Sequence, residues 1–203
     1  MTEEELLIER EQYLANGVHI GTRSQHIDMD KYIFRVKDNQ LAILNLEDTD
    51  KQIREAAELL AGFKPSEVLA AGRKPEARRG LELLAEATNI NTKIGRFMPG
   101  TLTNPQSDDF MEPEAVFVVD PEEDSQVIKE AAQTNTTVIS IADSGDELDD
   151  IDLAIPANNK SEKSIGVVSF LLAREITGAR GEDFDYELED FLPEETEDEE
   201  DEE

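Results

Sequence analysis

The residues best suited to chemistry lie in one short run, AAGRKPEARRG, at positions 70–80. Gly72 closes an apolar stretch, and Arg73, Lys74, Arg78 and Arg79 follow within seven residues around an expected helix start. A helix N-terminus presents free N–H groups and a partial positive charge, so four cations there make an anion site. A lone phosphate does not need so many, whereas a nucleic-acid backbone does. The same residues also suit a solvated helix face with Arg–Glu pairs to Glu76 and Glu82. In a chain with 49 acidic and 19 basic residues, a basic cluster runs against the prevailing composition.

A second run, GRFMPGTLTNPQ at positions 95–106, combines Arg96 and Phe97 with the hydroxyl and amide groups of Thr101, Thr103 and Asn104. Long loops are usually functional, and these groups suit contacts to an RNA backbone and to base edges. The loop can also pack Phe97, Met98 and Leu102 onto its own core. A third run, DSGDELDDID at positions 143–152, lacks the spacing of an EF-hand loop and reads as a solvated acidic loop, not a metal site. Asn158, Asn159 and Lys160 read first as a helix cap and loop closure, and second as a polar contact to RNA or a neighbouring protein.

Enzyme signatures are missing. There is no Walker A sequence, no GxGxxG after a strand and no GxSxG elbow. His19 and His26 are the only histidines, and His19, between Val18 and Ile20, suits a core or capping role. With no cysteine, a zinc ribbon, an iron–sulfur site, a disulfide scaffold and a thiol nucleophile are excluded. No cofactor and no metal are expected.

The elements that position these residues follow from patterning. Thr2 and Glu5 form a capping box for an N-terminal helix that Gly17 would end. Residues 18–30 read as a polar loop. Residues 32–36 and 41–46 read as a β-hairpin, and Thr49 with Gln52 opens a helix to about Leu60. Residues 68–71, 115–119 and 138–141 are continuous apolar strands, with shorter ones at 92–95 and 152–155. Between them lie helices over 75–87 and 122–132, and Ser161 starts a final helix rich in apolar residues. Apolar strands alternating with helices predict a doubly wound α/β fold, its mainly parallel sheet covered on both faces. One domain over residues 1–181 and an acidic tail over 182–203 are expected.

Charge refines the picture. Residues 182–203 hold 15 acids and no base, half of the net charge of −30, and the block 194–203 reads as disordered. Residues 13–40 and 63–100 carry 11 of the 19 basic residues. Acid spread over the body as well, with only nine lysines, suggests adaptation to concentrated salt, which screens self-repulsion within about 3 Å at 1 M. No apolar run reaches the roughly 20 residues of a membrane span, and the acidic start is unlike a secretory signal.

Taken together, LANGVHIGTRSQ, KYIFRVKDNQLAILNLEDT, GRFMPGTLTNP, EPEAVFVVDPEEDSQVIKEA and IDLAIPANNKSEKSIGVVSFLLAREI, in that order, resemble the small-subunit ribosomal protein two family. The loop at 95–105 and IPANNK are similar to its archaeal and eukaryotic branch, and a halophilic archaeal source is expected. The resemblance implies a flavodoxin-like fold and a non-catalytic, cytoplasmic, ribosome-bound role. In the family this means binding small-subunit ribosomal RNA where head and body meet, beside other small-subunit proteins and near messenger RNA. The expected RNA-facing residues are Arg23, Lys31, Arg35, Lys37, Arg73, Lys74, Arg78, Arg79, Arg96, Thr103 and Asn104, on one flank of an otherwise anionic body. Two other functions stay open. One is an enzyme or sensor of the same fold that binds a small phosphorylated ligand at the Gly72–Pro75 turn. The other is a scaffold whose acidic tail recruits basic proteins.

Overall fold

The computed structural model describes residues 6–193. The capping box at Thr2 and Glu5 and the block 194–203 lie outside the described residues. Five parallel strands form the central sheet: β3 (Val68–Gly72), β4 (Asn91–Ile94), β5 (Ala115–Val118), β6 (Thr137–Ala142) and β7 (Leu153–Pro156). Their order is β4-β3-β5-β6-β7. Counted from β3, this is the 2-1-3-4-5 order of flavodoxin-like sheets, in which chain direction across the sheet reverses between β3 and β5. The expected hairpin is present as a separate ribbon, with β1 (Ile33–Val36) antiparallel to β2 (Ala42–Leu44).

Strand alternation sorts the core into two layers. Val68, Ala70, Phe117, Ile139, Ile141 and Ile155 face α2 (Leu46–Ala61), α3 (Arg78–Thr88) and α5 (Glu162–Arg180). Leu69, Ala71, Val116, Val118 and Val138 face α4 (Ser125–Thr134) and Leu102. Toward the β7 edge, Met29 and Leu44 cover Ala142 and Ala154, so the ribbon and the 3-10 turn Ile27–Tyr32 complete this layer. Apolar side chains on both faces explain why the strands read as continuous runs.

Two local readings change. Helix α2 starts a turn before Thr49: Asn45 is its cap, with its side-chain oxygen accepting from Glu47 N–H, and Leu46 is the first helical residue. Thr49 is buried inside the helix, its hydroxyl donating to the Pro156 carbonyl at 2.6 Å. The N-terminal helix is short, α1 (Arg10–Ala15), and Gly17 takes the left-handed φ of +67° that ends it.

Packing continues past position 181. Phe184 and Tyr186 lean on the body, and a one-turn helix α6 (Leu188–Phe191) buries Leu188 and Phe191 against α5 and α3. Phe170, Phe184, Tyr186 and Phe191 form an aromatic cluster with centroid spacings of 5.5–6.1 Å. The Phe191 carbonyl sits so close to Gly166 that no β-carbon fits there. Acidic residues between the aromatics hide this segment from a reading by composition.

Late residues also lock the beginning of the chain. Arg174 Nη2 donates to the Leu7 carbonyl at 2.9 Å, and Asn158 N–H to that of Val18 at 3.0 Å. Thr22 N–H donates to Ser144 Oγ at 2.9 Å and to Asp143 Oδ1 at 3.1 Å. Buried Asp50 accepts from Leu7 N–H, Tyr13 Oη and Arg54 Nε.

Candidate nucleic-acid interface

In an open parallel sheet, the carboxyl ends of the strands and their loops form the usual ligand edge, centred on the reversal point. Here that point lies between the ends of β3 and β5, where the AAGRKPEARRG run was expected to bind an anion. The protein supplies the anions itself. Asp124, 4% exposed, accepts from Arg73 N–H at 2.9 Å and from Asp120 N–H at 3.2 Å. Asp120, 1% exposed, forms an ion pair with Lys74 through Oδ2 and accepts from Glu122 and Glu123 N–H through Oδ1. Desolvation raises the Asp124 carboxyl to about 6 against the hydrogen bonds that lower it. Asp120 and Asp124 thus already hold the Lys74 ammonium and the Arg73 N–H that a phosphate at the Gly72–Pro75 turn would need.

The remaining cations of the run separate by partner. Arg78 lies within 3.6 Å of Glu82 on the helix surface, the Arg–Glu pairing that the sequence left open. Arg79 Nε donates to the Asp190 carbonyl at 2.8 Å and ties α6 to α3. Arg73 is exposed, and its guanidinium bonds to nothing among the described residues. Arg96 follows β4 on the same side of the sheet and is likewise exposed and unbonded. The neighbouring strand ends connect through Gly95 N–H and the Gly72 carbonyl at 2.9 Å.

The loop after Arg96 is held from beneath. Glu130 of α4, buried, accepts from Gly100 N–H, Leu102 N–H, Thr103 Oγ1 and Gln126 Nε2 at 2.7–3.3 Å. Desolvation pushes its carboxyl up, and these four hydrogen bonds together outweigh that and leave it below the usual range. Gly100 has φ of +91°, and a β-carbon there would lie 3.1 Å from Asn104 Cβ. Thr103 therefore spends its hydroxyl on Glu130, while Asn104 Oδ1 accepts from Gln106 N–H to close a turn. Both side chains are exposed but have internal work. Nothing in the residue types pointed to Glu130, which lies 27 positions from Thr103.

The middle of the edge is acidic. A groove of about 650 Å³ between the start of α4 and the loop after β6 is lined by Glu122, Asp146, Glu147, Asp149 and Asp150, together with Lys129 and His26. Desolvation raises buried Asp146 to about 6 and pushes Asp143 up as well. No group of three or more histidines, cysteines or acids among the described residues is arranged to hold a metal.

Beyond it, against β6 and β7, lie Arg23, Lys31, Arg35 and Lys37, all exposed. Lys31 sits 4.7 Å over the ring of its neighbour Tyr32. The side chains of Arg23, Arg35 and Lys37 have no hydrogen bond or ion pair among the described residues. The cations thus form two groups separated by an acidic centre, instead of one continuous flank. Beside Arg35 and Lys37 in the chain, Phe34 and Val36 expose apolar side chains. Sequence reading placed the cations here but missed the apolar residues, since a strand's outward side chains resemble its inward ones until the partner layer is known.

Comparison with known proteins adds an independent observation. The sequence pattern described as Ribosomal protein S2 matches residues 13–109 and 105–179. The chain is 41% identical over 189 residues to the protein named small ribosomal subunit protein uS2 of Haloquadratum walsbyi, covering 93% of this chain and 68% of that one. It is 39% identical over 195 residues to the protein of the same name from Methanococcus maripaludis, covering 95% and 88%.

Proposed function

The chain belongs to the ribosomal protein S2 family, and from that premise we propose that it is a structural constituent of the small ribosomal subunit that grips ribosomal RNA with the two cationic ends of its sheet edge. It works as a structural part of a ribonucleoprotein and not as an enzyme. Its site is the head–body junction of the subunit, beside other small-subunit proteins and near the path of messenger RNA, in cytoplasmic ribosomes. Among the described residues, no helix is long and apolar enough to cross a membrane.

One observation carries the RNA reading. Among the described residues of this acidic chain, Arg23, Arg35, Lys37, Arg73 and Arg96 are exposed and have no carboxylate within ion-pair distance, while Arg10, Lys51, Lys64, Lys74, Arg78 and Lys93 are paired with carboxylates. Side chains kept from so many available anions are poised for phosphate. Lys129, Lys160 and Lys163 are also exposed without a carboxylate within ion-pair distance, so the pattern is an enrichment at the edge and not exclusive to it. In molar salt, counterion release adds little affinity, so five cations suffice only when shape and hydrogen bonding contribute too. A protein of this charge, related to a Haloquadratum protein, fits a halophilic setting.

The test replaces Arg23, Arg35, Lys37, Arg73 and Arg96 with glutamate and follows sedimentation in high KCl. The unaltered chain is expected to travel with the small subunit and to leave it on ribonuclease treatment, with the variant remaining at the top of the gradient. Co-sedimentation of the variant like the unaltered chain would overturn the RNA role of these residues. An unaltered chain that sediments regardless of ribonuclease would favour the scaffold reading.

A further inference from the structure

The ribbon carries a feature that phosphate binding alone does not explain. Phe34 is 70% exposed although it sits within strand β1. Ile33 pairs with Leu44 and Arg35 with Ile43, so Phe34 is the extra residue of a β-bulge. Bulges bend a strand and re-aim a side chain, and they recur beside functional sites. This one puts Phe34 and Arg35, which strict alternation would send to opposite faces, along the same groove of about 290 Å³. Leu14 and Ile43 supply apolar walls, and His19 lies within with a buried Nδ1 that has no hydrogen-bond partner. Arg35 and Lys37 border the opening without partners of their own, while the carboxylate at its rim, Glu47, is paired with Arg10 at 3.3 Å. The larger groove of the edge has a mainly acidic lining, with five carboxylates and one lysine.

We propose that this groove receives a nucleobase extruded from the ribosomal RNA, stacked on Phe34 and with its flanking phosphates on Arg35 and Lys37. The inference rests on the RNA-binding reading and adds a kind of contact to it. An aromatic face accepts any base, since every base has a π surface. Single-stranded and bulged RNA presents such unstacked bases, and aromatic stacking with backbone cations is how proteins hold them. Stacking also resists salt, which answers the weakness of charge-based binding in a concentrated electrolyte. An acidic peptide with one apolar residue is the competing occupant. An exposed aromatic in the same groove as two cations without partners among the described residues favours the base, since a peptide side chain gains from any apolar surface and does not need a ring.

Small subunits carrying Phe34→Ala, Phe34→Leu or Phe34→Tyr are washed at increasing KCl, and the protein retained is measured. The tyrosine variant should be retained like the unaltered protein. The alanine and leucine variants should both release roughly tenfold more readily, with the difference persisting at high salt. Ultraviolet irradiation of unaltered subunits should attach a nucleotide to the peptide spanning residues 31–37. Because Phe34 is exposed, these substitutions should leave the melting temperature unchanged. Full retention with leucine, or attachment of this peptide to a protein instead of a nucleotide, would overturn the base-stacking assignment. If Arg73→Glu with Arg96→Glu still weakens retention in that case, the groove proposal falls alone and the RNA-binding reading survives.

Discussion

The two cationic ends of the sheet edge differ in what their charges face. At the β3–β4 end, cations and carboxylates are interleaved: Lys74 is committed to Asp120, Arg78 to Glu82, and Arg79 to the backbone of α6. Arg73 and Arg96 project from a base that is already neutralised. At the ribbon end, Arg23, Arg35 and Lys37 have no partner among the described residues, and Phe34 and Val36 next to Arg35 are exposed. At one end the cations are partly committed to holding the fold, while at the other their side chains face outward. Density of positive charge along a sequence counts cations and not their partners, so it does not distinguish Lys74, held by Asp120, from Arg73 beside it.

Substitutions should separate the ends. The largest effect is expected from Lys74→Ala, which leaves Asp120 buried without its cation and should cost about 3 kcal/mol by denaturant unfolding in molar KCl. A loss below about 1 kcal/mol would mean that the Glu122 and Glu123 amides hold Asp120 unaided, and the β3–β4 end would then resemble the ribbon. Next is Glu130→Ala. It strands the Gly100 and Leu102 amides and should cost about 2 kcal/mol, with the cleavage rate by added protease rising within residues 97–113. An unchanged rate would show that the loop holds itself.

Acidity provides a third, smaller probe. Asp124 and Asp146 titrate near 6 in the folded chain and near 4 when unfolded. Their protonated forms favour the fold, so their contribution is complete below about 4 and is lost as pH rises through about 6. At fixed molar KCl the melting temperature should be higher at pH 5 than at pH 7.5, and Asp124→Asn should flatten the difference. The opposite slope would contradict the burial of these carboxylates. The smallest stability change belongs to Arg35→Glu with Lys37→Glu, expected within about 0.5 kcal/mol because neither cation has an internal partner. The same pair should nevertheless lower retention on the small subunit. If it destabilises as much as Lys74→Ala, the contrast between the ends disappears.

Much of the architecture was legible because strands buried on both faces must be apolar throughout: residues 68–71 and 115–119 could hardly be anything else. Strand order was not, since a parallel sheet joins positions such as Ala115 and Thr137 whose neighbours in sequence give no sign of the pairing. The cap of α2 was misplaced by four residues because Asn45 and Thr49 are both good caps, and only the buried contact of Thr49 with Pro156 decides between them. The segment after Gly181 looked like tail because its acids outweighed the spacing of Phe184, Tyr186, Leu188 and Phe191. Along the sheet edge the sequence shows each cation but not its partner: Asp120 lies 46 positions from Lys74, and no local rule connects them.

The stitches between early and late residues also impose a schedule. A polypeptide emerging from the translation machinery would deliver the ribbon first, while the groups that fasten its approach, Asp143, Ser144 and Asn158, are more than a hundred residues behind. Arg174, which secures Leu7, arrives later still. Contacts so distant in order form slowly, and until they do Phe34 rides on an unsupported platform. The first strands are therefore fully fastened only once the chain has been made past Arg174.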